Sequence, residues 1–250
     1  DWGALPMIIA VWGSSGSGKS TLSAMLAMAL ASKKSNVILI DSNFIVPQAG
    51  VWFPGLDMAP HESLSSILQN EINPEILSRK IKLIGSYIGV LGYAKGELAV
   101  NSILQRYDTA AVLLNTAASM ADYVILDCQT NITQDFLTFT GLEMAGCRLI
   151  VCTPDLRGVS FWLSNTPMLA DEKYRLDEAL KIFNMARDIS PINPVERLIG
   201  SFRYVLPFDS EILLRSLAGS TESPSRINVS KRYRSAFCAL TEEIICIKAG

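Results

Sequence analysis

One short segment near the start of the chain restricts the possible folds more than any other. Residues 13–21 (GSSGSGKST) follow the apolar run 7–12 (MIIAVW) and precede a stretch rich in Ala, Leu and Met. Glycines let a backbone curl so that several N–H groups point inward, and the first turn of a helix adds N–H groups that lack partners. A strand, this loop with its lysine, and a helix in succession therefore predict a site for a phosphorylated ligand.

The segment fits the motif G-x-x-x-x-G-K-[ST], which gives its positions distinct roles. Lys19 is predicted to reach the β- and γ-phosphates, the Ser20 hydroxyl to ligate Mg²⁺, and Thr21 to lie near the α-phosphate. A glycine-rich turn without a ligand is the alternative, and the lysine, the hydroxyl residue and both flanking elements argue against it. The predicted phosphate-binding residues are Gly13, Ser14, Ser15, Gly16, Ser17, Gly18, Lys19, Ser20 and Thr21.

Two acidic residues end apolar, strand-like runs. Asp127 ends residues 123–127 (YVILD), and Asp41 ends residues 37–41 (VILID). Ligands of open α/β sheets bind at the carboxyl ends of the strands, so Asp127 is predicted to hold Mg²⁺ together with Ser20. Asp41 is predicted to bind a magnesium-bound water or to position the attacking water. For both residues the alternative is an ordinary strand-ending aspartate.

Short apolar runs alternate along the chain with longer helical patterns. Such alternation, with nearly continuous apolar strands, is typical of a parallel sheet covered on both faces. The sequence thus predicts the α/β class, with a doubly wound, mostly parallel sheet, helices on both faces and a single domain over residues 1–250. Predicted strands are residues 7–12, 36–40, 87–91, 123–126, 148–152, 180–183 and 202–206. Predicted helices are residues 19–32, 62–69, 96–120, 133–143, 156–173, 210–217 and 229–245, with residues 189–194 as a loop.

Composition excludes several classes of protein. Hydrophobic residues make up 49% of the chain, and 22 Lys+Arg against 24 Asp+Glu give a net charge of −2. Disorder and a globally basic nucleic-acid binder are both incompatible with these values. Apolar runs are too short to span a bilayer. The basic cluster at residues 231–234 is interpreted as a solvated helix start rather than as an anion-binding patch.

The five cysteines and the first residue bear on context. Because the cysteines are odd in number and show no C-x-x-C spacing, they predict buried reduced thiols in a cytosolic protein. The chain begins with Asp1 rather than Met, which favours a domain that follows an upstream one. Trp52, Phe53 and Leu56 form an apolar group that is either core or a partner-binding patch.

The order of these motifs resembles the MinD/ParA family of P-loop ATPases. The phosphate loop follows the first strand, residues 37–41 follow the first helix, and residues 121–127 (ADYVILD) lie near the middle. Residues 152–155 (CTPD), a strand that ends at Asn184, and residues 206–209 (LPFD) come next. The similarity spans essentially the whole chain. It implies a P-loop NTPase fold that binds ATP and Mg²⁺, releases ADP, and is able to form a homodimer.

The resemblance also implies residues around the base and two switch segments. Asn184 would contact adenine, and a loop formed by Pro207, Phe208 and Asp209 would lie against it; a turn-capping Asn and a helix-capping Asp are the local alternatives. Residues 42–60 and 128–134 would form the switches. Gln129 and Gln134 in the second switch are interpreted as surface residues rather than as groups that orient water.

Two departures from the family pattern bear on catalysis. Ser14 stands where the family has a signature lysine that reaches the phosphates of a dimer partner, and Asn43 replaces an acid. The serine supplies no cation for the phosphates, and an amide cannot take up a proton as a carboxylate does. Both changes therefore imply slow turnover. The predicted catalytic residues are Lys19, Asp41, Asn43 and Asp127, and the predicted metal ligands are Ser20 and Asp127.

Within the family, the pattern is most similar to the TadZ/CpaE-like branch associated with pilus assembly. This resemblance implies a slow cytoplasmic ATPase, peripheral to the membrane or cell pole through protein partners, that positions an envelope machine such as a Tad-type pilus or secretion system. The alternatives are a non-hydrolysing scaffold with a structural phosphate loop and, third, a DNA-partitioning ATPase. A small-molecule kinase is disfavoured because no arginine-rich lid segment occurs.

Overall fold

A computed structural model of the protein describes residues 5–97, 107–220 and 226–249. Its strands are β1 (Met7–Gly13), β2 (Val37–Asp41), β3 (Lys82–Ile84), β4 (Ile88–Leu91), β5 (Tyr123–Asp127), β6 (Cys147–Cys152), β7 (Leu180–Ala186) and β8 (Tyr204–Pro207). Within these ranges they form one sheet in the order β3-β4-β2-β5-β1-β6-β7-β8. All neighbours pair in parallel except β3 and β4, which are antiparallel.

Helices cover both faces of this sheet. They are α1 (Lys19–Ala31), α2 (Ala49–Trp52), α3 (Leu64–Leu68), α4 (Pro74–Lys80), α5 (Tyr107–Met120), α6 (Phe136–Met144), α7 (Leu156–Asn165), α8 (Ile192–Ile199), α9 (Ser210–Leu217) and α10 (Lys231–Ala249). Alternate residues of β1 point to opposite cores: Ile9 and Val11 pack with α1 and α10, whereas Ala10 and Trp12 pack with α5 and α6. The predicted doubly covered sheet is therefore confirmed.

Several predicted helix bounds need correction. The helix expected at 156–173 ends at Asn165, because the side chains of Asn165 and Thr166 bond the carbonyls of Phe161 and Trp162 and a 3₁₀ turn follows. The helix expected at 133–143 begins at Phe136, where Asp135 caps it. Of the helix expected at 96–120, the described part is α5, and residues 98–106 lie outside the described residues.

Four short elements, α2, α4, β3 and α8, were not predicted. Asn73 caps α4 by accepting from the Ile76 N–H at 2.9 Å, and β3 follows directly. Helix α8 begins inside the segment expected to be a loop. Its Pro194 lies in the first turn, where a backbone N–H has no intrahelical partner in any case, so the proline is tolerated there.

The apolar group of the first switch belongs to the core. Trp52 is 4% exposed and Phe53 is 5% exposed, and Leu56 packs against the same core from a partly buried position. The hypothesis that Trp52 and Phe53 form a partner-binding patch is therefore wrong. The exposed apolar side chains of this region are Ile45, Val46 and Val51.

The structure shows the surroundings of the basic cluster at residues 231–234 and of the five cysteines. Arg232 pairs with Asp188 at 3.2 Å, and Arg234 donates to the Ile227 carbonyl at 3.0 Å, so two members of the basic cluster already have partners. Three thiols are buried and two, Cys238 and Cys246, are exposed; all five are free. Among the helices in the described ranges, none combines the length and hydropathy that a membrane span requires.

Candidate functional site

The loop of residues 13–21 leaves the carboxyl end of β1, one of the innermost strands of the sheet. The Ser14 N–H donates to the Val151 carbonyl of β6 at 3.1 Å, and a Cβ on Gly13 would lie 1.9 Å from that carbonyl oxygen. Gly16 and Gly18 have φ angles of +71° and +76°, which favour glycine. The glycine spacing of the motif is therefore what the close strand approach and the curled backbone require.

Lys19 begins α1 and is buried, with 9% of its surface exposed. The first turn of α1 contains no acidic residue and no side chain of the described residues caps it, so its free N–H groups and its positive dipole end are available to an external anion. Ser17 stabilises the loop internally, since its hydroxyl donates to the Ser14 carbonyl at 2.8 Å. These features place the predicted phosphate-binding residues in one loop that leads into an uncapped helix N-terminus.

Asp127 ends β5, the strand that pairs with β1, and is fully buried. Its Oδ1 accepts from the Ser23 hydroxyl at 3.2 Å, whereas Oδ2 is buried without a hydrogen-bond partner in the described part of the chain. Burial raises the pKa of Asp127 to about 6, although the charge of Lys19 and the hydroxyls of Ser20 and Ser23 lower it. A buried carboxylate oxygen without a partner is an energetic cost that a bound cation would remove.

The donor set fits Mg²⁺. The Ser20 hydroxyl and the Asp127 carboxylate are both oxygen ligands, and magnesium in nucleotide sites takes one or two protein oxygens with phosphates and waters as the remainder. In the described ranges, no cluster of three or more His, Cys, Asp or Glu side chains has metal-binding geometry. The Ser20 hydroxyl and the Asp127 carboxylate would hold the Mg²⁺ of a bound nucleotide.

Asp41 ends β2 beside Asp127 in the register of the sheet. Its Oδ1 accepts from the Asn43 N–H at 3.0 Å, and its Oδ2 accepts from the N–H groups of Gln48 and Ala49 at 2.5 and 3.0 Å. Burial and then the charge of Asp127 raise the pKa of Asp41 to about 7, against the lowering effect of these bonds. Asp41 thus fixes the backbone of residues 43–49, within the segment predicted to be the first switch.

Asn43 and Gln129 bond to each other. The Gln129 Nε2 donates to the Asn43 Oδ1 at 3.0 Å, and the same oxygen accepts from the Val46 N–H at 2.9 Å. The Gln129 N–H donates to the hydroxyls of Ser42 and Thr138. Gln129 is only 6% exposed, so its interpretation as a surface residue is wrong. The side chain of Gln134 lies outside the described residues.

A cavity of about 240 Å³ opens beside the phosphate loop on the α9 side. Asn184 at its edge donates through Nδ2 to the Ser17 carbonyl at 2.8 Å, so this amide hydrogen holds the phosphate loop. The cavity is mostly apolar, which suits the flat faces of a nucleotide base. Its walls include Gly16, Gly18, Thr21, Met25, Asn184, Met185, Pro207, Phe208, Asp209 and Tyr233.

Asp209 and Thr21 contact α9 as well as the cavity. The carboxylate of Asp209 accepts from the N–H groups of Glu211 and Ser230 at 3.1 and 2.8 Å, which is the helix-capping alternative. Thr21 Oγ1 lies 3.3 Å from Ser216 Oγ. Their positions allow nucleotide contact, and their roles toward the base and the α-phosphate stay predictions.

Comparison with known proteins identifies the family. A profile described as the CobQ/CobB/MinD/ParA nucleotide binding domain matches residues 8–200. The chain belongs to this family. Among curated proteins, an uncharacterized ATP-binding protein of Methanocaldococcus jannaschii is 29% identical over 148 residues, 58% of this chain. The matched region is 51% of that relative, so this chain aligns with about half of its length.

Solved structures of the family share the fold. The chain is similar to a ParA family ATPase from Chlorobium tepidum, with a TM-score of 0.79, 19% identity, and coverage of 96% of this chain and 99% of that one. It is also similar to the septum site-determining protein MinD of Pyrococcus horikoshii complexed with Mg-ADP, with a TM-score of 0.74, 17% identity and 96% coverage of each chain. At identities this low, the structural similarity establishes the MinD/ParA fold and nothing more specific.

The structure brings most predicted site residues together. The phosphate loop, Asp127 and Asp41 lie at the carboxyl edge of β1, β5 and β2, and Asn184 with residues 207–209 lines the adjoining cavity. Met25, Met185 and Tyr233 of the same cavity were missed, because apolar residues in a helix or strand carry no sequence signal for a ligand. The burial of Gln129 was predicted wrongly, because only the packed structure shows its partner, Asn43.

Proposed function

We propose that this chain binds ATP with Mg²⁺ and hydrolyses it slowly to ADP and phosphate. The observation that carries the proposal is the convergence of the buried Lys19, at the free N-terminus of α1, with Asp127, whose Oδ2 has no hydrogen-bond partner among the described residues. The Mg-ADP bound to the similar MinD of Pyrococcus horikoshii supports the choice of ligand. Mg²⁺, when bound, would neutralise charge on the phosphates.

Different residues of the chain would bind the phosphates, the metal and the base. Backbone N–H groups of the loop and Lys19 bind the phosphates, Ser20 and Asp127 hold the metal, and the apolar cavity takes the base. Asp41 and Asn43 would place the attacking water near the first switch. Both already accept hydrogen bonds from the protein, and an amide is no base, so a proton would leave the water slowly.

Single-turnover hydrolysis of ATP tests the activity. Wild type is expected to release phosphate above the background rate, and Lys19→Ala is expected to fall to background. Saturating Mg-ATP should also raise the melting temperature of wild type, since a ligand at 100 times its Kd stabilises a fold by about 2.7 kcal/mol. A wild-type rate equal to that of Lys19→Ala would contradict the ATPase proposal.

A non-hydrolysing scaffold is the second candidate, because of two observations. Ser14 is 3% exposed and supplies no cation, and the Asn43 amide is already bonded to Gln129. If this candidate is correct, Mg-ATP raises the melting temperature but single-turnover release stays at background. The two measurements together therefore separate an ATPase from an ATP-binding scaffold.

We infer a role in positioning or assembling an envelope machine, such as a Tad-type pilus or secretion system, from the TadZ/CpaE-like order of motifs. The net charge of −2 lends no support to non-specific DNA binding, which the third candidate, a DNA-partitioning ATPase, would need. Retardation of a DNA duplex by the Mg-ATP-bound protein at 0.15 M salt would favour that candidate. Light scattering with and without Mg-ATP tests the proposed homodimer, and imaging of a tagged chain in its host tests association with the membrane or pole.

A further inference from the structure

A second cleft of about 390 Å³ lies on the other side of the phosphate loop. Ser15 and Gly16 at the tip of the loop form one wall, and the segments 153–157 and 187–191 form the others. Gly16, Met185 and Phe208 line both this cleft and the cavity of about 240 Å³ that would take the base, called here the base cavity. The two spaces are therefore continuous around the loop that binds phosphate in the proposed function.

Two exposed arginines line this cleft. Neither Arg157 nor Arg187 forms an ion pair with a carboxylate among the described residues, and Arg187 lies over the Phe208 ring at 4.5 Å from its centroid. The cleft also contains the carboxylate of Asp155. Its Oδ1 accepts from the Thr153 hydroxyl and from the N–H groups of Arg157 and Gly158, so this charge caps α7.

The charges around the loop leave a negative excess when a nucleotide binds. Lys19 is the only cationic side chain within residues 13–21, and the neighbouring strands β2 and β5 end in the acidic residues Asp41 and Asp127. A magnesium triphosphate brings roughly two negative charges of its own. The base cavity has no lysine or arginine in its described lining, whereas the second cleft is lined by two arginines.

We propose that Arg157 and Arg187 bind the terminal phosphate of ATP from this cleft, supplying within one chain the cation that Ser14 lacks. The inference rests on the proposed function, because it assumes that ATP occupies the loop. A planar guanidinium forms paired, charge-assisted hydrogen bonds with phosphate oxygens, and exposed arginines at a cleft edge reach them by rotating their side chains. The loss of such bonds should weaken ATP binding more than ADP binding.

Calorimetric titration with a non-hydrolysable ATP analogue and with ADP, each with Mg²⁺, tests this. The variants are Arg157→Gln, Arg187→Gln and the double variant, with Arg157→Lys and Arg187→Lys as charge-retaining changes. Arg203→Gln is the matched control, since Arg203 is exposed, pairs with Glu243 at 2.9 Å, and precedes the amino end of β8, whereas the cleft lies at the carboxyl ends of the strands. The double variant should bind the analogue at least roughly tenfold more weakly, and ADP less than threefold more weakly.

Each contrary result has a distinct meaning. Equal losses for the analogue and ADP would show that the arginines act through Phe208 on the base loop, and would overturn the inference. Unchanged binding in the double variant, while Lys19→Ala loses both ligands, would overturn the inference and leave the proposed function intact. If wild type binds neither ligand, both fail.

Discussion

The side-chain amide of Asn184 donates a hydrogen bond to the Ser17 carbonyl at 2.8 Å, although 167 residues separate them. The same Nδ2 lies 2.7 Å from the position that a Cβ on Gly18 would take. Asn184, near the end of β7, therefore holds the phosphate loop at Ser17 and lies against Gly18, the residue before Lys19. This contact gives Asn184 a structural role that neither of its sequence-based interpretations, base contact or turn cap, included.

Replacing Asn184 should loosen the phosphate loop. Asn184→Ala removes one buried hydrogen bond, and we expect ADP to bind about three- to tenfold more weakly, with about 1 kcal/mol lost from the free energy of unfolding. Asn184→Asp should be worse, because a carboxylate oxygen would face the Ser17 carbonyl. Calorimetric titration with ADP measures both effects. Unchanged ADP affinity in Asn184→Ala would show that this bond does not shape the site.

Two glycines of the loop should differ in their tolerance of alanine. In Gly13→Ala the new Cβ would overlap the Val151 carbonyl, so β1 and β6 must separate, and we expect more than about 2 kcal/mol of destabilisation. In Gly16→Ala no atom lies within 4 Å of the new Cβ. Only the positive φ of +71° lowers the free energy of unfolding, by about 1 to 2 kcal/mol. Urea unfolding compares the pair. A larger loss in Gly16→Ala would contradict this account.

The charge of Asp127 should make the nucleotide-free fold less stable as pH rises. Its pKa is about 6 in the fold against 3.8 in the unfolded chain, so between about pH 4 and 6 the native state binds more protons than the unfolded one. Stability therefore falls through this window and is lowest above it. Asp127→Asn should gain about 3 kcal/mol at pH 8 without Mg²⁺ and almost nothing at pH 4.

The same variant should lose its response to magnesium. Because Asp127→Asn removes a predicted ligand, added Mg²⁺ should no longer strengthen ADP binding. Thermal unfolding at pH 4 and pH 8, without nucleotide and with ADP in the presence and absence of Mg²⁺, measures this. Exposed Asp177→Asn is the control and should behave as wild type. A stability gain at pH 4 equal to that at pH 8 would contradict the assignment of the effect to ionisation.

The Asn43–Gln129 bond should couple the two switch segments. Asn43→Ala and Gln129→Ala each remove one side of a partly buried amide pair, and a double-mutant cycle should show an interaction energy of about 1 kcal/mol in the free energy of unfolding. Asn43→Asp retains an acceptor for both Gln129 Nε2 and the Val46 N–H and should keep most of the coupling. Additive effects of the two alanines would show that the switches are independent.

Local sequence patterns predicted much of the fold because each reflects a short-range constraint. Continuous apolar runs such as Tyr123–Asp127 require burial on both sides, and they appear as central strands. Short elements escaped prediction where local signals conflicted. The two prolines around residue 192 indicated a loop, yet α8 buries Val195 and Ile199 against the sheet, and tertiary packing decided the outcome.

The sequence by itself determined the phosphate loop, the acidic strand ends and the layered sheet, since these depend on glycine conformation, a lysine at a helix start and the period of apolar residues. Only the tertiary structure decided how the polar side chains are used. Asp41 is engaged with backbone N–H groups, Gln129 is buried against Asn43, and Asn184 holds Ser17. Such partners are distant in sequence, and a hydrogen bond across strands leaves no trace in local composition.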